Sequence, residues 1–334
     1  MPLILPEGYR SRLTARQTQI AIKKVKDFFQ TDLANQLNLR RVSAPVFVDS
    51  ATGLNDNLNG VERPVSFDIK NCTGSFEVVH SLAKWKRFAL KKYGFAPGEG
   101  LYTDMNAIRR DDDTDNTHSI FVDQWDWEKV IAAEDRNVDY LKRTVRDIVN
   151  AIAETSEALN VAFPSLHAKL PRDVFFITTQ ELEDQYPTLT PKQREDAVCR
   201  EHGVVFLMQI GKLLKSGIKH DGRAPDYDDW DLNGDILYWN PVLERAFEVS
   251  SMGIRVDPES LDRQLTLAGC DDRRKLPFHK MLLNNELPLT MGGGIGQSRL
   301  CMLMIGTVHI GEVQVSLWDE ETRKTYEDAG ILLL

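Results

Sequence analysis

The chain has 334 residues, 42% of them hydrophobic and 27% charged, the balance of a globular enzyme with a substantial core. Lys+Arg 41 against Asp+Glu 50 leaves a net charge of -9, which argues against a surface built to hold a nucleic-acid backbone while allowing a local basic pocket. No apolar run reaches membrane-spanning length, and Met1–Gly8 carries no signal-peptide pattern.

In chain order, Ile22, Val25, Phe29, Leu33 and Leu37 recur at helical spacing and predict an amphipathic helix over Thr14–Leu37. The extended run Arg41–Val48 follows, with Pro45 marking a sheet edge or a bulge. Asp49–Gly60, rich in Asn, Asp and Gly, reads as a loop. A short strand, Phe76–Val79, leads to Ser81, placed to cap a helix Leu82–Tyr93 that Gly94 stops. Strands Gly100–Arg109 and Ser119–Trp127 flank the acidic loop Asp111–Asn116, and the longest helix is expected over Arg136–Leu159. Thr178-x-x-Glu181 and Thr190-Pro191-x-Gln193 are helix starts. Val204–Ile210 is apolar throughout, like a strand covered on both faces. A charged loop, Gly211–Asn233, precedes Gly234–Trp239 and Ala246–Val256, read as antiparallel neighbours turning near Pro241 and Val242. Asp257 caps and Pro258 opens a helix to Ala268. With no linker, composition break or repeat, this order predicts one α+β domain over 1–334, its largely antiparallel sheet flanked by helices.

The chemistry is densest at Met291–Leu300, Met-Gly-Gly-Gly-Ile-Gly-Gln-Ser-Arg-Leu. Bare backbone at positions such as Gly294 lets a polyphosphate approach closely. Arg299, in the first turn of the apolar helix that follows, adds a guanidinium to free backbone N–H groups and the positive end of the helix dipole. No Gly-Lys-Ser/Thr follows, so this is not a Walker A loop. A tight turn packing strand on helix explains the glycines alone; the arginine favours a nucleotide site. Asp235 and Glu248 fall roughly opposite each other on adjacent, mostly apolar strands, where like charges are costly unless a cation such as Mg²⁺ joins them. Arg109 ends one strand, while Gln124 and Asp126 share a face of the next with Trp125 and Trp127 on the other. Such an arginine fork grips a phosphate or carboxylate. His80–Lys86 places a serine and lysines at a strand-to-helix junction, a carboxylate-binding arrangement. Asp226–Trp230 fits a surface loop, a cation site or a lid equally well. Cys72, Cys199, Cys270 and Cys301 lie far apart, as reduced thiols of a cytoplasmic protein do, and the histidines lack zinc-binding spacing.

Together these segments resemble the class II aminoacyl-tRNA synthetase catalytic core. Arg109 after its strand resembles the second motif, Gly292–Leu300 the third, and the first helix with Pro45 the first, which in those enzymes builds a dimer interface. The resemblance narrows to the ammonia-dependent asparagine synthetases, the aspartate–ammonia ligases. It is carried by Thr52–Gly60, Phe76–Arg87, Gly98–Tyr102, Val122–Glu128, Arg223–Trp230, Leu232–Leu243, Phe247–Arg255 and Gly292–Leu300. It implies that aspartate's β-carboxylate attacks the α-phosphorus of ATP to form β-aspartyl-AMP and pyrophosphate, and that ammonia then displaces AMP.

By position, the resemblance gives Arg109 the α-phosphate and β-carboxylate, and Arg299 the adenine and triphosphate. Asp235 and Glu248 carry Mg²⁺. Ser81, Lys86, Gln124, Asp126 and Ser251 line the aspartate pocket, with Asp228 a further candidate, and Asp56 takes a proton from the incoming ammonium. It also implies a cytoplasmic homodimer. Two departures stand out: the connection at Asp231–Asn233 is very short, reducing any lid there, and the acidic run after Arg110 replaces the synthetases' second-motif glutamate. An aspartyl- or asparaginyl-tRNA synthetase would need room for an anticodon-binding domain before the first motif. A glutamine-dependent enzyme would need a cysteine where Pro2 stands. A catalytically dead paralogue would be free to lose Arg109, Arg299, Asp235 and Glu248, and all four are present.

Overall fold

A computed structural model describes residues 3–58, 62–167 and 169–334. Helix α1 (Ala15–Leu37) starts at Thr14, whose hydroxyl accepts from the Gln17 N–H while the Gln17 side chain accepts from the Thr14 N–H at 3.0 Å. Val25, Phe29, Leu33 and Leu37 form its buried stripe. The chain continues through β1 (Leu39–Arg41), β2 (Phe47–Asp49), β3 (Ser66–Phe67), β4 (Phe76–Val78) and α2 (Ala83–Tyr93). Then come β5 (Gly100–Ile108), β6 (Phe121–Val130), α3 (Val138–Ala162), β7 (Phe175–Thr178), α4 (Thr179–Gln185) and α5 (Pro191–His202). The last part runs β8 (Val204–Met208), β9 (Asp228–Asn240), β10 (Arg245–Arg255), α6 (Pro258–Leu267), α7 (Pro277–Leu283), β11 (Thr290–Gly296), α8 (Gln297–Ile305) and α9 (Glu320–Asp328).

Eight strands form one sheet in the order β1-β5-β6-β11-β10-β9-β8-β7, parallel only at its two outermost pairs. This is the expected α+β arrangement, a largely antiparallel sheet with flanking helices. Trp125 and Trp127, both fully buried, point from β6 into the layer that holds α1, α3 and α8, and the Phe29 ring lies 4.7 Å from Trp125. Period-two alternation then turns Gln124, Asp126 and Glu128 to the opposite face, and the site lies there.

Several expectations need correcting. Arg41–Val48 is not one strand: β1 ends at Arg41, and β2 joins a separate sheet, β2-β4-β3. Pro45, with no N–H to give a ladder, separates them. Leu82, and not Ser81, holds the N-cap position of α2; the Ser81 hydroxyl accepts from the Ala83 N–H at 3.4 Å and donates to Asp56. The loop reading of Gly211–Asn233 runs too long, because β9 starts at Asp228. Asp228 and Asp229 look like loop residues but are buried on arginines from elsewhere, Arg255 and Arg136. The short connection at Asp231–Asn233 is accordingly strand. Of the loop Asp49–Gly60, Asn59 and Gly60 lie outside the described residues, as do Met1 and Pro2.

Asp235 and Glu248 are not directly opposite. Asn240 accepts from the N–H groups of Val242 and Leu243, and Glu244 is left-handed at φ 51, so the turn is longer than expected. Glu248 pairs with Leu237, and Asp235 with Ser251. A bulge between Glu248 and Ser250 adds one residue to β10, so Glu248 and Ser251, three apart, face the same side as Asp235.

Candidate active site

On this face the described residues enclose a cavity of about 360 Å³. Every residue given a role by resemblance lines it, namely Asp56, Ser81, Lys86, Arg109, Gln124, Asp126, Asp228, Asp235, Glu248, Ser251 and Arg299, and so does Gly294 of the glycine run.

One end is built from β6, β11 and the start of α2. Lys86, fully buried, donates to Asp126 and, at 3.0 Å, to the Gly293 carbonyl. Burial pulls the Lys86 ammonium below its ordinary pKa, with Asp126 and Glu128 opposing and Arg255 adding to the fall. The Leu82 N–H donates to the other Asp126 oxygen, and Ser81 donates to Asp56 at 2.7 Å. Behind them Arg255 forks onto Glu128, Nη2 to Oε2 at 2.7 Å and Nε to Oε1 at 3.0 Å, and reaches Asp228 with Nη1. The glycines serve this floor. A Cβ on Gly292 would stand 1.9 Å from Glu128 Oε2, and one on Gly294 would stand 2.5 Å from Gln124 Oε1.

The other end holds Asp235, Glu248 and Arg299. Burial raises the Asp235 pKa, and nearby Glu248 adds to the rise while Arg223 resists it. For Glu248 burial acts upward too, but Arg299, Lys192 and Arg223 hold it below the ordinary value. Arg299 donates to the Glu248 carbonyl at 3.1 Å and lies 3.7 Å from its carboxylate. Arg109 sits just past β5 and reaches the His80 carbonyl at 3.4 Å, its buried Nε without a protein partner. An anion in the cavity would satisfy that group.

The glycine segment differs from its expected form. Met291–Gly296 is strand, its backbone laddered to β6 and β10, so those N–H groups are not free. The α8 N-terminus is also taken. Asp123 accepts from the Ser298 N–H at 3.0 Å and hydroxyl at 2.9 Å, and from Lys26 of α1 at 3.1 Å. The anion at that helix end is therefore the protein's own carboxylate, and α8 offers the cavity Arg299 rather than its dipole. Lys84 likewise turns away, to the buried Asp226, which also meets Arg273 and His279. Of the three readings open for Asp226–Trp230, none describes Asp226; it is the centre of an internal ion cluster.

Two arginines of the cavity went unnoticed. Arg255 follows Ser251 at a spacing of four on one strand, so alternation alone could have found it. Arg223 had no such signal, since it stands in the irregular segment after Gly222. Among the described residues no group of three or more His, Cys, Asp or Glu is placed to hold a metal, so Asp235 and Glu248 offer at most a pair.

The family model described as aspartate-ammonia ligase matches residues 16–330. The chain belongs to the aspartate–ammonia ligase family. It is 63% identical over 333 residues to the aspartate–ammonia ligase of Clostridium tetani, spanning 99% of this chain and 98% of that one. To the Lactobacillus johnsonii enzyme it is 59% identical over the full length of both. It is thus a ligase that makes asparagine from aspartate and ammonia, using ATP. The fold is similar to that of asparaginyl-tRNA synthetase from Pyrococcus horikoshii complexed with asparaginyl-adenylate, with a TM-score of 0.68 at 15% identity, covering 91% of this chain and 70% of that one. The Entamoeba histolytica asparaginyl-tRNA synthetase in complex with asparaginyl-adenylate gives 0.65 at 15%, covering 90% of this chain and 66% of that one. These likenesses show the class II synthetase fold. Among the described residues no helix is long and apolar enough to cross a membrane.

Proposed function

We propose that the cavity carries out both halves of the ligase reaction, with L-aspartate at the Lys86 end and Mg·ATP at the Arg299 end. The observation behind this is convergence: Arg109, Arg299, Asp235 and Glu248, far apart along the chain, line one space with a buried lysine–carboxylate pocket. Lys86 and Arg109 hold the carboxylates of aspartate, while Asp126, Asp228 and Ser251 meet its ammonium and polar edge. Gln124 hydrogen-bonds the reacting oxygen. The β-carboxylate oxygen attacks the α-phosphorus, and the pyrophosphate leaves. Arg109 and Arg299 offset the charge that builds on the phosphate as the new P–O bond forms. Mg²⁺ fits a carboxylate pair completed by phosphate and water oxygens, where it would neutralise the leaving pyrophosphate. Asp235 and Glu248 are its holders in this reading.

In the second half Asp56, buried and hydrogen-bonded by Ser81, accepts a proton from ammonium. The freed ammonia attacks the β-carbonyl carbon, and AMP departs with the bonding pair of its acyl–phosphate bond. The same reading takes the whole chain as one catalytic domain, working as a cytoplasmic homodimer with no nucleic-acid partner. Ile20 and Phe28, 45% and 41% exposed on α1, support a paired face there.

Pyrophosphate release should require aspartate and Mg²⁺, stop on chelation, and proceed without tRNA. Release that needs tRNA, or that persists in excess chelator, contradicts the reading. Asp56→Asn should leave aspartate-dependent ATP–pyrophosphate exchange near wild type and slow asparagine formation about 10²–10⁴-fold, the range for a lost general base. Equal loss of both halves would make Asp56 a binding residue instead.

A further inference from the structure

Arg223 sits on the Mg²⁺ end of the cavity with 8% of its side chain exposed. Its Nη2 donates to Asp235 Oδ1 at 2.5 Å, its Nη1 donates to Ser251, and its Nε lies 3.8 Å from Asp228 Oδ2. That Nε is buried with no hydrogen-bond partner. One guanidinium therefore ties together a carboxylate assigned to the metal, a hydroxyl assigned to the aspartate pocket and a second carboxylate, with a donor left over. The guanidinium engages Asp235 through Oδ1, so a cation arriving at this carboxylate must share its charge with one already seated there.

We propose that Arg223 is a counter-ion gate: in the free enzyme its charge on Asp235 weakens the binding of divalent cations there, and it turns from the carboxylate to the polyphosphate when the metal arrives with one. The inference rests on the Mg²⁺ reading above. A carboxylate already neutralised by a guanidinium binds metal more weakly than one whose pair has parted, so the apparent Kd rises as the paired fraction grows. Polyphosphate changes the balance in two ways. It supplies the remaining oxygen ligands that a two-carboxylate site lacks, and it offers the released fork an anion of its own. Bare Mg²⁺ does neither, so the gate makes metal and nucleotide bind together rather than in turn. No bond is made or broken in this step; a guanidinium exchanges one oxygen partner for another.

The test uses Mn²⁺ as probe, with free Mn²⁺ measured by electron paramagnetic resonance on the full-length protein, without nucleotide. Arg223→Gln should bind Mn²⁺ about tenfold tighter than wild type, because the counter-ion that offsets the Asp235 charge is gone. Ser251→Ala, which frees one tine of the fork and keeps every charge, should shift affinity the same way by a smaller factor. Circular dichroism confirms that each variant is folded. An affinity that is unchanged or weaker in a folded variant overturns the gate. The underlying metal reading fails separately: Asp235→Asn should abolish the gain in the Arg223→Gln background and weaken Mn²⁺ binding in the presence of ATP. If Asp235→Asn leaves both untouched, the metal is elsewhere.

Discussion

Arg299→Ala will slow aspartate-dependent ATP–pyrophosphate exchange about 10²–10³-fold in kcat/KM, or about 2.7–4 kcal/mol of transition-state stabilisation, the loss that follows removal of one preorganised donor. The size of the effect comes from how firmly the side chain is aimed. Arg299 stands in the first turn of α8, and Asp123 pins that turn through the adjacent Ser298. Its guanidinium is held by the Glu248 carbonyl, and Gly296 leaves no side chain to crowd it. Arg299→Lys should recover little, because an ammonium cannot reproduce the planar fork. Steady-state kinetics at varied ATP and aspartate decide the matter; near-normal turnover of the alanine variant would take Arg299 out of the reaction.

The second large effect is on stability. Asp226→Asn should destabilise the fold by about 3–5 kcal/mol, the cost of breaking a buried ion pair and leaving its partner uncompensated. Asp226 Oδ2 receives Lys84 at 3.2 Å, Arg273 at 3.0 Å and His279 at 2.9 Å, and the Lys84 side chain is 1% exposed. Burial alone would raise the Asp226 pKa, yet Lys84, His279 and Arg273 together hold it well below the usual carboxylate range. A depressed carboxyl stabilises the fold in full above its unfolded pKa of about 4 and loses that contribution as pH falls. Wild type should therefore lose urea resistance from about pH 5 down to about pH 2 more steeply than Asp226→Asn, the window that opens at the unfolded value. Parallel curves would assign the acid sensitivity to other carboxylates.

Local signals were readable and partner-dependent ones were not. The Thr178 and Thr190 capping boxes and the alternation of Gln124 and Asp126 with Trp125 and Trp127 depend on neighbours in sequence, and each is found as read. All the residues taken from resemblance line one cavity, which is as far as their placement goes. What escaped depended on distant chain. Asp228 and Asp229 read as loop because the arginines that let them enter a strand come from other elements. The offset of Asp235 from Glu248 comes from the turn after Asn240, which sets Glu248 on Leu237, and a bulge that no pattern in β10 marks then carries Asp235 on to Ser251. Asp123 gave no sign that it fills the end of α8, since Ser298 and Lys26 are remote from it in sequence.

Gly293 and Gly294 of β11 line the pocket, and the Gln124 side chain lies where a Gly294 Cβ would stand, so this wall has no side chain of its own left to shorten. Substitution there can only make the chamber shallower. Widening the chamber must therefore recede other walls, at Ser81 or Ser251, because along the glycine strand there is nothing left to cut away.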